Sequence, residues 1–201
     1  MAQRYRILIV EDDYDHEFHY EGRPLLPLAS VDEGNNVIYV GTLSKVFAPG
    51  LRLGYVVGPE CVIERLTRYR SCVDYHGDHV VEAAIAELIN EGELQRNMNR
   101  CRRVYRARRD LLVDLLRAKF PDLLTFQAPR GGMAIWARVR ATGSVNAWAK
   151  RAEKLGVIFS PASRFTFGEE KRQFARFGFA AVNEAEIKKA VGILQKTAPK
   201  R

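Results

Sequence analysis

The chain has 201 residues, 47% hydrophobic and 28% charged, a globular balance that excludes a disordered chain, a collagen-like repeat and a bilayer-spanning protein. That length allows one medium domain or two small ones and excludes a large multidomain enzyme complete in itself. The formal charge of +8 raises nucleic acid as a partner, but much of it sits between Arg96 and Lys119. The N-terminus has neither a secretory h-region nor an acid-poor transit pattern, so the expected location is the cytoplasm. Cys61, Cys72 and Cys101 are odd in number and lack a CxxC spacing, which argues against a disulfide framework and a zinc site.

In chain order, the first third alternates short apolar strands with turn-rich loops. Residues 7–10 form a continuous apolar run of the kind found in a sheet covered on both faces, and residues 37–40 and 53–57 resemble it. Helical spacing follows over residues 62–73 and 80–90, the latter striped by Val81, Ala84, Ile85 and Leu88 with Gly92 beyond its end. Residues 96–119 combine nine basic side chains with Val104, Leu111, Leu112, Leu115 and Leu116, which predicts a long amphipathic helix with a solvated basic face.

After Pro121 the pattern becomes α+β. Residues 123–127 and 133–139 read as strands around Pro129-Arg130-Gly131-Gly132, and a helix over about 145–155 opens at Ser144 and closes at Gly156. Residues 174–181 read as another strand. Asn183 and Glu186 have capping-box spacing before a last helix striped by Ile187, Ala190, Val191 and Leu194. Trp136 and Trp148 read as core or lobe-packing aromatics. The implied organisation is α/β: part of a larger layer over residues 1–95, a linking helix over 96–120 and a compact α+β lobe over 121–201.

Three segments carry chemistry. Glu11-Asp12-Asp13-Tyr14-Asp15 follows the first strand, where open α/β sheets place their ligands. Gly41-Thr42-Leu43-Ser44-Lys45 follows the second, and Arg52 lies seven residues beyond Lys45, between Gly50 and Gly54. No GxxxxGK[ST] is present, so triphosphate binding by a Walker loop is not supported. A lysine flanked by hydroxyls and an arginine suits an aldehyde cofactor bearing a phosphate, pyridoxal phosphate, whose ring nitrogen needs an acidic partner. The pairs His16/His19 and His76/His79 lack a third ligand, and no metal is expected.

These segments, with Ala48-Pro49-Gly50-Leu51-Arg52-Leu53-Gly54-Tyr55, Gly131-Gly132-Met133 and Ala175-Arg176-Phe177-Gly178, resemble the aminotransferase-like domain of MocR/GabR-type proteins, of fold type I. The resemblance covers nearly the whole chain. It implies that Lys45 forms an aldimine with pyridoxal 5'-phosphate and shuttles the substrate's Cα proton. It further implies that Asp12 pairs with the pyridine nitrogen, Tyr14 bonds the phenolic oxygen, and Thr42, Ser44 and Arg52 bind the phosphate. Arg176 resembles the arginine that grips the substrate α-carboxylate. The reaction implied moves an amino group between an amino acid and a 2-oxo acid, with a homodimer as the full-length form. The other readings are an effector sensor attached to a DNA-binding winged helix-turn-helix, and a truncated, inactive remnant whose cofactor site never assembles. Family members are much longer, so the resemblance implies the C-terminal portion of a fold type I transferase, weakly active or inactive alone, with DNA contacted only through an absent N-terminal domain.

Overall fold

In the computed structural model, residues 2–23, 26–166 and 172–199 are described. The chain divides into two compact units, residues 1–101 and 102–201, and the division falls inside one long helix.

The first unit contains α1 (Ala2–Tyr5), β1 (Ile9–Asp13), β2 (Val37–Thr42), β3 (Gly54–Val57), α2 (Glu60–Val73), α3 (His79–Asn90) and the start of α4 (Glu93–Lys119). Its sheet has the order β1-β2-β3, with β1 parallel to β2 and β2 antiparallel to β3. Asp78 caps α3 by accepting from the amides of Val80 and Val81, which satisfies donors that have no partner within the helix.

Two expectations are corrected here. The first strand covers Ile9–Asp13 rather than residues 7–10, so Glu11, Asp12 and Asp13 lie within it. The cause is upstream: the amides of Arg6 and Ile7 fold back onto the carbonyls of Gln3 and Ala2, with Arg6 at φ +51°. Pairing with β2 therefore starts only at Ile9 and runs to Asp13 opposite Gly41. Nor is the sheet covered on both faces: Val10 is 65% exposed and all four residues of β3 are exposed. β-branched runs set strand propensity, whereas cover depends on which elements pack nearby. Among the described residues no strand pairs with the outer edge of β1 or of β3.

The second unit holds the rest of α4, β4 (Leu124–Thr125), β5 (Ala134–Val139), α5 (Val145–Glu153), β6 (Ser160–Pro161), β7 (Phe174–Gly178) and α6 (Glu184–Thr197). The sheet is antiparallel in the order β4-β5-β7-β6. Alternation places Ile135, Ala137 and Val139 of β5 and Ala175 and Phe177 of β7 in the core, with Leu112, Leu116, Trp148, Ile187, Val191 and Leu194 from the helices. The capping box of α6 is complete: Asn183 Oδ1 accepts from the Glu186 amide at 3.0 Å, and Glu186 Oε2 accepts from the Asn183 amide at 2.7 Å.

Several finer expectations change. The strand expected over 123–127 contracts to two residues, the one over 174–181 ends at Gly178, and the helix expected to about 155 ends at Glu153. Ser144 stands at the N-cap of α5 but its hydroxyl makes no capping bond. Arg109 does not belong to the solvated basic face. It is only 3% exposed, because it lies three, four and seven residues before Leu112, Val113 and Leu116 on the buried stripe of α4. Its guanidinium donates to the Pro129 carbonyl at 2.8 Å and to Asp110. Trp148 is a core residue, but Trp136 is 45% exposed on the opposite face of the sheet, stacked on Phe174.

Candidate active site

Strand register brings the first three motifs to one end of the three-stranded sheet. Asp12 pairs with Val40 and Asp13 with Gly41, while Gly41 and Thr42 pair with Tyr55 and Gly54. Hence the carboxylates, the turn bearing Lys45 and the segment bearing Arg52 meet at the C-terminal end of the parallel pair, where α/β sheets leave a crevice.

Three consecutive carboxylates have three different fates. Glu11 accepts from the amides of Leu28 and Ala29, at 2.8 and 3.0 Å, and so caps a short 3-10 turn over Leu28–Val31. Asp13 accepts from the Tyr39 hydroxyl at 3.2 Å and lies 3.3 Å from His16 Nδ1. Asp12, on the alternate face, is exposed and has no hydrogen-bond or ion-pair partner among the described residues. It is the one carboxylate of the three left free for a ligand. Tyr14, just beyond the strand, is exposed, and its hydroxyl also has no partner among the described residues.

The turn after β2 is held from both sides. Thr42 Oγ1 donates to the Leu53 carbonyl at 3.3 Å and accepts from the Ser44 amide at 3.2 Å, and the Leu43 amide bonds the same Leu53 carbonyl. Leu43's own carbonyl accepts from Val46 and Phe47, and Asn97 Nδ2 reaches across to the Val46 carbonyl at 2.7 Å. Val46 is buried, so the turn is anchored on one side while Lys45 stays exposed with its amine unpartnered among the described residues. The Ser44 hydroxyl is almost buried and likewise without a partner there.

Close packing explains two glycines. A Cβ on Gly41 would run into the Tyr55 ring, and one on Gly54 would sit 2.9 Å from the Gly41 carbonyl oxygen. Arg52 adopts φ +49°, ψ +33°, a left-handed conformation that ordinary residues rarely hold without local compensation. Its guanidinium is exposed and has no acidic partner among the described residues. Tyr39 is held above its ordinary phenol value by burial first, then by Tyr55 and the Asp13 carboxylate, so it stays a neutral donor to Asp13.

Arg176 belongs to the second unit. It is half-buried on β7, opposite Trp136 on one side and Ser160 on the other, on the sheet face away from the core. It has no carboxylate partner among the described residues, which removes a structural ion pair as the reason for this arginine.

Sequence reading missed Asp13, Tyr39, His16 and Asn97 as supports of this end of the sheet. Tyr39 was within reach, since a β2 in register with β1 must set it near the acidic run. Asn97 had no local signal, because its partner lies 51 residues away.

This sheet end bears a primary amine, a carboxylate, a phenol, a serine hydroxyl and a guanidinium that have no partner among the described residues, groups of the kinds that could hold an aldehyde, a ring nitrogen, a phenolic oxygen and a phosphate.

Comparison with known proteins agrees with this chemistry. The chain is 33% identical over 97% of its length to the probable rhizopine catabolism regulatory protein MocR of Rhizobium meliloti, covering 40% of that protein. It superposes on a kynurenine aminotransferase from Pyrococcus horikoshii with a TM-score of 0.89 at 28% identity, covering 98% of this chain and 48% of that one. It also superposes on LysN, an α-aminoadipate aminotransferase from Thermus thermophilus complexed with N-(5'-phosphopyridoxyl)-L-leucine, with a TM-score of 0.90 at 26% identity, over 98% and 51% of the two chains. The chain thus spans between two fifths and about half the length of these relatives. Among the described residues no helix is long and apolar enough to cross a membrane. The family model for aminotransferase class I and II matches residues 1–194, and with a fold type I architecture in both sheets the chain belongs to that family.

Proposed function

We propose that this chain supplies the lysine-bearing part of a pyridoxal phosphate site in a domain that moves an amino group between an amino acid and a 2-oxo acid. The observation carrying this reading is that Asp12, Lys45 and Arg52, none with a partner among the described residues, are borne by segments that meet at one sheet end. When bound, pyridoxal phosphate supplies an aldehyde and a protonated pyridine ring able to accept negative charge from a substrate carbon. Asp12 accepts the pyridine N–H and keeps that proton in place. Arg52 would hold the phosphate through two of its oxygens, with the Ser44 hydroxyl beside it; the Thr42 hydroxyl would join only by giving up its bond to the Leu53 carbonyl. Tyr14 donates to the phenolic oxygen. Lys45 Nζ would be the group that bonds the aldehyde carbon and, once the substrate amine has displaced it there, the neutral amine that holds the proton taken from the substrate Cα. Arg176 receives the substrate α-carboxylate, and a homodimer is the proposed working form.

A second reading is favoured by the relatives themselves. Besides MocR, they include HTH-type transcriptional regulators of Bacillus subtilis at 28 to 30% identity. In that reading the same residues detect an amino acid or amine for an attached DNA-binding region.

Both readings place Lys45 at the cofactor aldehyde, which borohydride trapping tests. The 201-residue chain is incubated with equimolar pyridoxal phosphate, reduced and mapped by peptide mass. Lys45 is expected to carry most of the label at well below one equivalent, and Lys45→Ala to lose it. Label spread evenly over exposed lysines would refute the assignment of Lys45. Stoichiometric trapping with amino-acid-dependent turnover would refute a partial site in this chain.

A further inference from the structure

Charge is divided very unevenly between the two units. Residues 1–101 carry 10 Lys and Arg against 16 Asp and Glu, a net −6, whereas residues 102–201 carry 22 against 8, a net +14. The second unit thus far exceeds the few charges that keep a small domain soluble, and its self-repulsion opposes compactness unless anions are drawn to it.

One group of these cations lies on a pair of packed helices. α5 and α6 pack on each other. They and the turn after α5 expose Lys150, Arg151, Lys154, Lys188, Lys189 and Lys196, none with a carboxylate partner among the described residues. Arg151 Nε instead donates to the Thr197 carbonyl at 3.0 Å, which ties the end of α5 to the end of α6. The acids on the same layer are engaged elsewhere. Glu186 closes the α6 capping box, and Glu184 pairs with Arg108 at 3.6 Å, leaving Glu153 as the only other carboxylate on these two helices.

We infer that the solvent face of α5 and α6 is an electrostatic docking surface for the phosphate backbone of duplex DNA. Lysines act there as point charges on phosphates and read no sequence, so this face would add affinity and orientation while leaving base recognition to other parts of a protein. The choice of DNA rests on the regulator reading above; the surface itself is independent of the cofactor residues, none of which lies on these helices.

The test uses the 201-residue chain and a fluorescein-labelled mixed-sequence 25-base-pair duplex, followed by anisotropy at two salt concentrations. With about four phosphate contacts, affinity should fall about 150-fold between 50 and 200 mM salt, without preference among duplex sequences. The triple variant Lys154→Glu, Lys188→Glu, Lys189→Glu should abolish the signal at 50 mM salt. Its neutral counterpart, with glutamine at the same positions, should weaken binding by tenfold or more and flatten the salt dependence. An equal charge change on α4, Arg103→Glu, Arg106→Glu, Arg117→Glu, should do much less. No binding by the parent chain would overturn the inference. So would equal losses from the two charge-reversal sets, which would mean a net-charge effect with no defined surface. Binding to phosphatidylserine vesicles in place of the duplex would overturn it in favour of a membrane. In each case the borohydride labelling of Lys45 is unaffected, so failure here is separable from failure of the cofactor reading.

Discussion

Replacing Arg52 by glycine separates backbone strain from ligand chemistry. At φ +49° and ψ +33° the residue is held in the left-handed region, which for an L-residue costs about 1–2 kcal/mol. Glycine removes that strain, while its greater freedom in the unfolded chain takes back about 0.4–1 kcal/mol. The net expectation for Arg52→Gly is a gain of about 0.5–1 kcal/mol. Arg52→Ala keeps the strain and should gain nothing, since the guanidinium has no acidic partner among the described residues to lose. With a urea m-value of about 2 kcal/mol per molar, the two variants should differ by about 0.3–0.5 M in midpoint, measured by far-UV circular dichroism. Both variants lack the proposed phosphate ligand, so pyridoxal phosphate labelling of Lys45 should fall alike in the two. A glycine variant no more stable than the alanine variant would refute the strain argument, and undiminished labelling would refute the phosphate role.

Two further outcomes concern the fold around these sites. Trp148 is fully buried, 4.9 Å from the Phe159 ring, and its indole N–H reaches Leu194 O at 3.3 Å and Thr197 Oγ1 at 3.2 Å. Trp148→Ala should therefore destabilise the C-terminal unit by about 3–5 kcal/mol, and Trp148→Phe by clearly less, in urea unfolding; a loss under about 1 kcal/mol for alanine would contradict its place in the core. Asp32 is pushed up by partial burial, but amide donors from Val37, Gly34 and Asn36 outweigh this and hold its carboxyl below the ordinary value. Because the folded value is depressed, its contribution is present above the unfolded carboxylate value of about 4 and is lost as pH falls through the folded one. The Asn36 and Val37 amide resonances should shift only in that acid window, and Asp32→Asn should remove the shift; amides that titrate in the variant would exclude Asp32 as the cause.

Local chemistry was readable wherever its partners were near in sequence. The capping box of α6 lies within four residues and its stripe repeats every three or four, so both predicted their own geometry, whereas of the α3 stripe only Ile85 is buried and Ala84 is exposed. The candidate site was readable for a different reason: lysine, arginine, carboxylate and hydroxyls are chemically unusual together, and their order along the chain matched a known family. Errors arose where a residue's environment depends on distant segments. Arg109 has the same side chain as Arg103 but occupies the buried stripe and bonds a carbonyl 20 residues on. The first strand began two residues late because a short helical turn upstream captured the amides of Arg6 and Ile7.

Composition and motif order alone therefore determined an α/β chain with a pyridoxal-phosphate-type set of residues, since amine, acid and guanidinium chemistry is intrinsic to the side chains. Which of three adjacent carboxylates stays free was decided only by tertiary structure. Glu11 and Asp13 are engaged by groups 17 to 26 residues away, and Asp12 is left open by the alternation of a strand whose register is fixed against β2. A one-residue slip in that pairing would exchange their faces, and no periodicity within the segment itself specifies it.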